Sequence, residues 1–167
     1  MNQASPPALR IGLGYDTHRI GPARPFLLGG VEIPWDRGLI GHSDADVLLH
    51  AITDALLGAA SLGDIGRMYP DTDPENKDRD SGEMLAEAMR RVRAAGWEIV
   101  NLDCVVRAQQ PKISPHAAAI CARIAEILAI SVDCVGIKGK TGEHVGPVGR
   151  QEAIEARCVA LLYRRLG

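Results

Sequence analysis

The sequence predicts an α/β sandwich with helices on one face of a single sheet, and three observations support it. Segments with helical apolar spacing alternate with strand-like segments along 167 residues, a length that suits one domain of ~100–200 residues with its own core. Hydrophobic residues make up 46% and charged residues 24%, which is globular composition and excludes a disordered chain. Glycine, at 18 residues, is about 11% against an average of ~7%, so tight turns and loops that let a ligand reach the backbone are expected. The expected organisation is a flexible tail over residues 1–9, which holds Pro6 and Pro7, and one domain over 10–167, without repeats.

Leu9 to Leu13 reads as a strand that runs into Gly14-Tyr15-Asp16-Thr17-His18. Phe26 to Ile33 is interrupted by Gly29-Gly30 and stopped by Pro34, which predicts a bent strand or a small hairpin arm. Ser43 is the predicted N-cap of a first helix, with Asp44 and Asp46 in its first turn. Val47, Leu48, Ala51, Ile52, Ala55 and Leu56 follow at helical spacing, ending near Ala60. Residues 63–77 read as loop. A second helix starts at Asp80 or Ser81, where Asp80 and Glu83 suit a capping box; it carries Met84, Leu85, Ala88, Met89 and Val92 and stops at Gly96. Trp97 to Val106 is a predicted strand, Pro115 opens a third helix in its first turn, and Cys134 to Lys138 is a short strand. From 153 to 165, Ile154, Ala156, Cys158, Ala160 and Leu162 alternate with Glu155 and Arg157, which predicts a strand although the composition also suits a helix.

Charge and composition narrow the function. Lys+Arg number 19 against 21 Asp+Glu, and aromatics are 4%, so neither a cationic surface for phosphate backbones nor a stacking platform for single strands is expected. The first ten residues lack the apolar core of a secretory signal, and no stretch approaches the ~18 apolar residues of a membrane span. A cytoplasmic protein without nucleic-acid or membrane partners is therefore expected. Cys104, Cys121, Cys134 and Cys158 form no C-x-x-C pair and read as buried free thiols rather than zinc ligands or disulfides.

Asp16 and His18, two apart on a strand, point to one side, and His50 on the first helix is the natural third ligand of a cation. Asp46 and Asp54 flank His50 at spacings of four, so either carboxylate could orient the imidazole. The same spacing also suits a solvated helix face with ion pairs, and both readings stay open. His42 beside Ser43 at a helix start suits a phosphate, or simply an exposed histidine next to a cap. Gly63-Asp64-Ile65-Gly66 and Tyr69-Pro70-Asp71-Thr72-Asp73-Pro74 make an acid-rich stiffened loop that suits polyol hydroxyls or a plain surface turn; its spacing does not fit an EF-hand. Gln109-Gln110-Pro111-Lys112-Ile113-Ser114-Pro115 brings backbone groups and Lys112 to a helix start, where a base edge and a phosphate could be met, or serves as an ordinary connection. Lys138-Gly139-Lys140-Thr141-Gly142-Glu143 collects two cations, a hydroxyl and a carboxylate without the glycine spacing of a P-loop.

Taken together, Asp16-x-His18, Leu28-Gly-Gly-Val-Glu-Ile-Pro34, Gly41-His-Ser-Asp-Ala-Asp46, His50-Ala-x-x-Asp54-Ala-Leu-Leu-Gly58, Gly63-Asp-Ile-Gly66, Pro70-Asp-Thr-Asp-Pro74, Pro111-Lys112 and Gly149-Arg150 resemble the 2-C-methyl-D-erythritol 2,4-cyclodiphosphate synthase family, in order from Arg10 onward. The resemblance implies a ferredoxin-like sheet, a homotrimer with active sites between neighbours, and metal-dependent cyclisation of 4-diphosphocytidyl-2-C-methyl-D-erythritol 2-phosphate with release of CMP. It carries over Asp16, His18 and His50 as Zn²⁺ ligands, and Glu143 as ligand of a second divalent cation, Mg²⁺ or Mn²⁺. It carries over His42 and Thr141 as the residues that polarise the phosphates. Ser43, Asp64, Ile65, Gly66, Tyr69, Pro70, Asp71, Thr72 and Asp73 are implied for the methylerythritol phosphate. Ala108, Gln109, Gln110, Pro111, Lys112, Ile113, Ser114, Gly139, Lys140 and Gly142 are implied for the cytidine side, and Arg150 lies beside a central trimer cavity. Lys140 and Gly142 depart from the family's usual Thr-Thr-Thr-Glu run while keeping Thr141 and Glu143. A zinc-dependent phosphoesterase using metal-bound water, and a trimeric module that binds CMP-like ligands without turnover, are the competing readings.

Overall fold

The computed structural model describes residues 8–22, 24–70, 72–73, 76 and 78–165. Strand β1 (Leu9–Gly21) positions everything that follows, because its inner side carries Gly12 and Gly14. A Cβ at Gly12 would lie 2.0 Å from the Ala55 carbonyl oxygen, and one at Gly14 would lie 1.8 Å from that of Ala51. Helix α1 (Val47–Ala59), lined with small alanines there, therefore rests directly on the strand backbone. Only glycine permits that approach.

The arm expected at Phe26 to Ile33 is a hairpin of β2 (Leu27–Leu28) and β3 (Val31–Glu32), turned by Gly29 and Gly30 at φ 63° and 73°. Strand β4 (Gly38–Ile40) pairs with the end of β1, and the short helix α2 (Ile65–Met68) lies in the segment expected to be loop. Then follow α3 (Ser81–Ala94), β5 (Trp97–Arg107), α4 (Ala117–Leu128), β6 (Val135–Lys140), α5 (Gly146–Gly149) and β7 (Ala153–Arg164). The main sheet has five strands in the order β4-β1-β7-β5-β6, with β5 and β6 parallel and the other pairs antiparallel. Helix α4 supplies the crossover that a parallel pair requires.

The α/β sandwich expected from the sequence is present, and the helices share one face. Ile154, Ala156, Cys158, Ala160 and Leu162 of β7 are all 0% exposed beneath the helices. They meet a core that includes Leu48, Ile52, Leu56, Leu85, Met89, Leu102 and Ile120. On the opposite face Ile11, Leu13, Tyr15, Val159 and Tyr163 are exposed and form an uncovered apolar surface.

Several boundaries differ from expectation for physical reasons. Asp46, not Ser43, caps α1, accepting the Leu48 and Leu49 amides. The deciding factor is non-local: the same buried carboxylate also accepts the Gly29 and Gly30 amides at 2.9 and 2.7 Å, so it ties the arm to the helix start. Burial pushes the Asp46 carboxyl up, against the pull of the Gly30, Leu49 and Gly29 amides. Asp80 caps α3 as expected, through the Gly82 and Glu83 amides. Pro115 sits in a 3₁₀ turn (Ser114–His116), so α4 begins two residues later than the proline suggests. Of the expected tail, residues 1–7 lie outside the described residues; the Ala8 carbonyl accepts from the Arg164 amide and Leu9 already pairs with Tyr163. The four cysteines are free thiols, but only Cys104 and Cys158 are buried, whereas Cys121 and Cys134 are half-buried. Among the described residues no helix is long and apolar enough to cross a membrane.

Candidate active site

The close seating of α1 on β1 brings His50 down onto Asp16 and His18. One ligand atom from each of the three lies within 4.8 Å of the others, and this is the triad of its kind found among the described residues. His50 Nδ1 is 3.0 Å from Asp16 Oδ2. The two imidazoles stand edge to face, with ring centres 5.2 Å apart. His18 turns Nδ1 toward the Thr17 carbonyl at 2.8 Å, which leaves Nε2 buried without a hydrogen-bond partner. Gly41 keeps the space beside that atom open: a Cβ there would lie 3.1 Å from His18 Nε2.

A buried ring nitrogen without a partner is costly unless something electropositive meets it. Two imidazoles and a carboxylate suit a borderline divalent metal and leave a further coordination position open. The residues present therefore fit a metal ion. Burial pulls the pKa of His50 down, but the Asp16 hydrogen bond and the negative charges of Asp16, Asp46 and Asp44 outweigh it, so the imidazole titrates above its ordinary range.

The suggested orienting role of Asp46 or Asp54 for His50 is not what the structure shows. Asp46 is occupied with backbone amides, and Asp54 accepts the Ile65 amide at 2.8 Å, which anchors the loop at residue 65 to α1. Burial pushes the Asp54 carboxyl up, partly offset by that amide. Instead His50 Nε2 lies 2.9 Å from Ser81 Oγ and 3.1 Å from Ser43 Oγ. Nor does a free helix end serve His42 and Ser43, because the Asp46 carboxylate has taken its amides.

Beside the triad is a cavity of about 140 Å³ lined by His18, His42, Ser43, His50, Ile65, Gly66, Tyr69, Asn76 and Met84. His42, Ser43, Ile65, Gly66 and Tyr69, distant in sequence from His18, thus share one cavity with it. Asn76 and Met84 were not foreseen; Asn76 is buried and donates to the Pro70 carbonyl at 2.9 Å, so it holds the loop against the pocket. Asp64 caps α2 through the Arg67 amide rather than lining the cavity. Pro70, Thr72 and Asp73 lie in the loop without lining it, and Asp71 lies outside the described residues. The Arg79 guanidinium stacks 5.0 Å from the centre of the Tyr69 ring.

A second cavity, also about 140 Å³, is lined by Ala108, Pro111, Lys112, Ile113, Ser114, Gly139, Lys140 and Thr141. The segment after β5 and the end of β6, far apart in sequence, thus form one pocket. Gln109 is buried beside His144, Gln110 is exposed, and neither lines this cavity. Thr141 Oγ1 donates to Glu143 Oε1 at 2.6 Å. Glu143 and His144 are both left-handed, at φ 49° and 59°. The loop is pinned by glycines, since a Cβ at Gly142 would lie 2.4 Å from the Gly149 amide nitrogen. Glu143 is not part of the Asp16-His18-His50 group. Arg150 pairs with Glu152 at 2.8 Å and lines neither cavity. The two cavities share no lining residue; His18 of the first pairs with Ile154 of β7, and Lys140 of the second pairs with Arg107, whose other neighbour is Glu155 of β7.

A metal-ligand triad and a separate lysine-bearing pocket, on an α/β sheet with one open face, define a candidate divalent-metal enzyme. The chain belongs to the YgbB family, whose model matches residues 9–163. It is 54% identical over 165 residues to 2-C-methyl-D-erythritol 2,4-cyclodiphosphate synthase of Rhodopirellula baltica, covering 99% of both chains. A solved structure of 2C-methyl-D-erythritol-2,4-cyclodiphosphate synthase in a CDP-bound form superposes with a TM-score of 0.84 at 40% identity, covering 92% of this chain and 99% of that one. The bifunctional IspDF of Campylobacter jejuni gives a TM-score of 0.92 at 42% identity over 95% of this chain; the match spans 43% of that longer protein.

Proposed function

We propose that this chain converts 4-diphosphocytidyl-2-C-methyl-D-erythritol 2-phosphate into 2-C-methyl-D-erythritol 2,4-cyclodiphosphate and CMP, as a phosphorus–oxygen lyase of non-mevalonate isoprenoid precursor synthesis in the cytoplasm. The observation that carries the reading is the Asp16-His18-His50 triad with its partnerless His18 Nε2, in a chain whose near-full-length relatives bear the synthase name.

An oxygen of the 2-phosphate attacks the β-phosphorus, the bond from that phosphorus to the bridging oxygen breaks, and CMP leaves with the electron pair. A phosphate nucleophile is ionised at neutral pH, so no general base is required; catalysis is positioning and charge neutralisation. Asp16, His18 and His50 would hold Zn²⁺, and Glu143 a second divalent cation, Mg²⁺ or Mn²⁺. When bound, the ions offset charge on the phosphate oxygens. His42 donates to the transferred phosphoryl group, the Thr141 hydroxyl turns to it from Glu143, and Lys112 meets the nucleotide phosphates. Ser43, Gly66, Tyr69 and the loop that Asn76 braces hold the methylerythritol end, with Ile65 and Met84 as its apolar wall. The second cavity takes the cytosine.

We assign the assembly as a homotrimer with each active site shared between neighbours. Its support is twofold: the two cavities share no lining residue within one chain, and the exposed Ile11, Leu13, Tyr15, Val159 and Tyr163 surface suits burial against further copies.

³¹P NMR of the purified protein with substrate, Zn²⁺ and Mg²⁺ tests the reaction. The expected result is CMP with a coupled pair of cyclic-diphosphate resonances, both abolished by chelation. CMP accompanied by an uncyclised bisphosphate would establish a hydrolase instead, and absence of turnover with metal loaded would reduce the protein to a binding module.

A further inference from the structure

Gln109, two residues past the end of β5, is 9% exposed and lines neither cavity. Its side chain reaches across 35 positions of sequence to a single residue. Oε1 accepts the His144 backbone amide at 3.4 Å, and Nε2 lies 3.4 Å from Nε2 of the His144 ring. Packing alone would be met as well by methionine, which has a similar volume and no amide to satisfy. What the glutamine adds is its hold on His144.

His144 belongs to a strained corner. It and Glu143 are successive non-glycine residues in the left-handed region, at φ 59° and 49°, where a Cβ crowds the following carbonyl. Such backbone persists only where its surroundings over-determine it, and three supports do so here. The Val145 amide closes the turn onto the Gly142 carbonyl at 2.8 Å. Gly149 packs against it, since a Cβ there would lie 2.4 Å from the His144 carbonyl carbon. Gln109 takes the His144 amide from beyond the end of β5, where the neighbouring Ala108 amide donates to the Lys140 carbonyl at 2.9 Å. The corner is thus tied to residues that wall the second cavity.

The residue beside this hold is Glu143, which is exposed and accepts the Thr141 hydroxyl. Small hard cations are commonly held by one or two protein carboxylates, with water and substrate phosphate completing the shell. A lone carboxylate serves well only when the backbone beneath it is fixed.

We propose that Gln109 is a positioning residue that holds the left-handed Glu143–His144 backbone and so presents the Glu143 carboxylate to the second divalent cation. The inference rests on the assignment of Glu143 as that cation's ligand, and adds to it the buried group that sets where the ligand stands. Supports that touch a ligand's setting rather than the metal are worth about 10–100-fold in metal affinity.

The test compares the full wild-type chain with Gln109→Met and Glu143→Gln, all loaded with Zn²⁺. Electron paramagnetic resonance reads Mn²⁺ binding with CDP present, and ¹H–¹⁵N NMR reads exchange of the His144 amide with neither present. The amide should exchange slowly in wild type and in Glu143→Gln, and about fivefold faster in Gln109→Met, the worth of one ordinary hydrogen bond. Mn²⁺ should bind about 10–100-fold more weakly to Gln109→Met, with its Zn²⁺ content unchanged. During turnover, kcat of Gln109→Met should fall at low Mg²⁺ and return at excess Mg²⁺, a rescue that general loss of structure would not allow. An unprotected His144 amide in wild type overturns the proposal without any variant having to fold. Equal Mn²⁺ affinity in wild type and Gln109→Met overturns it as well. Mn²⁺ binding that survives in Glu143→Gln overturns the assignment of Glu143 itself, so the two failures are told apart.

Discussion

The two halves of the proposed site are built by opposite means. Around the triad, His18 Nε2 apart, buried and half-buried polar side chains are held by hydrogen bonds: Asp46 takes four backbone amides, Asp44 takes two amides and a hydroxyl, and His50 rests between two serines. Around the second cavity the ordering comes from backbone. Glu143 and His144 are left-handed, Gly142 and Gly149 pack without room for a side chain, and Thr141, Lys112 and Glu143 carry little structural duty. A metal needs ligands fixed before it arrives, and buried hydrogen bonds supply that rigidity. A flexible nucleotide needs a shaped surface with a few mobile charges, which a glycine-pinned loop supplies.

The contrast breaks most visibly at Asp46. Asp46→Ala removes the acceptor from four buried or half-buried amides at once, and each abandoned donor costs ~1–3 kcal/mol. Not all are lost fully, because the arm can shift, so a total of about 3 kcal/mol or more is expected. Urea unfolding of the metal-free protein measures it, and Zn²⁺ affinity should fall with it, since α1 carries His50. A loss under ~0.5 kcal/mol, the range of ordinary surface changes, would show that the triad side is not held as described.

The opposite outcome is expected across the sheet. Thr141→Ala should leave unfolding free energy within ~0.5 kcal/mol of wild type while lowering kcat about 10²-fold, the usual loss for a single donor to a transition-state oxygen. Lys112→Ala should act mainly on KM, through the nucleotide phosphates. Steady-state kinetics beside the same urea titrations separate these effects. Equal damage to stability and activity at Thr141 would erase the distinction between the two halves.

How much of this was legible in the sequence follows the range of the interactions. The cap and apolar run of α3, Asp80 then Met84, Leu85, Ala88, Met89 and Val92, are local, and the helix stands where they place it. The alternation of β7 is local too, despite its helix-compatible composition. Asp16, His18 and His50 were readable because a strand's two-residue repeat and one helical histidine suffice to propose them. Their supports were not. Ser43 and Asp46 are equally good caps in isolation, and what decides between them is the Gly29 and Gly30 amides of a distant arm. Ser81 read only as a helix start, because its partner His50 lies on another helix. Strand β4 is three residues long and exists through its pairing with Arg19–Gly21. Helix α2 is four residues held by the Asp64 cap, too short to show a period.

The smallest effect concerns the thiols, which sharpen the contrast between the sheet core and its edge. Cys104 and Cys158 face each other in register across β5 and β7, both 0% exposed. The hydrogen bond to Cys104, with burial, pushes the Cys158 thiol far above its ordinary range, so thiolate there is negligible. Cys121 on α4 is half-buried, and burial, with the nearby Cys104, raises it as well. The reactive species is the thiolate, and reagent must also reach it. A colorimetric thiol titration of native protein should therefore show slow reaction of Cys121 and Cys134 and none of Cys104 or Cys158 until denaturant is added. Because opening of the β5–β7 pair requires the central sheet to separate, labelling of Cys104 and Cys158 should track global unfolding and slow further when the triad is metal-loaded. Labelling of either in native protein at the rate of Cys121 would mean that the middle of the sheet opens on its own, independently of the site built upon it.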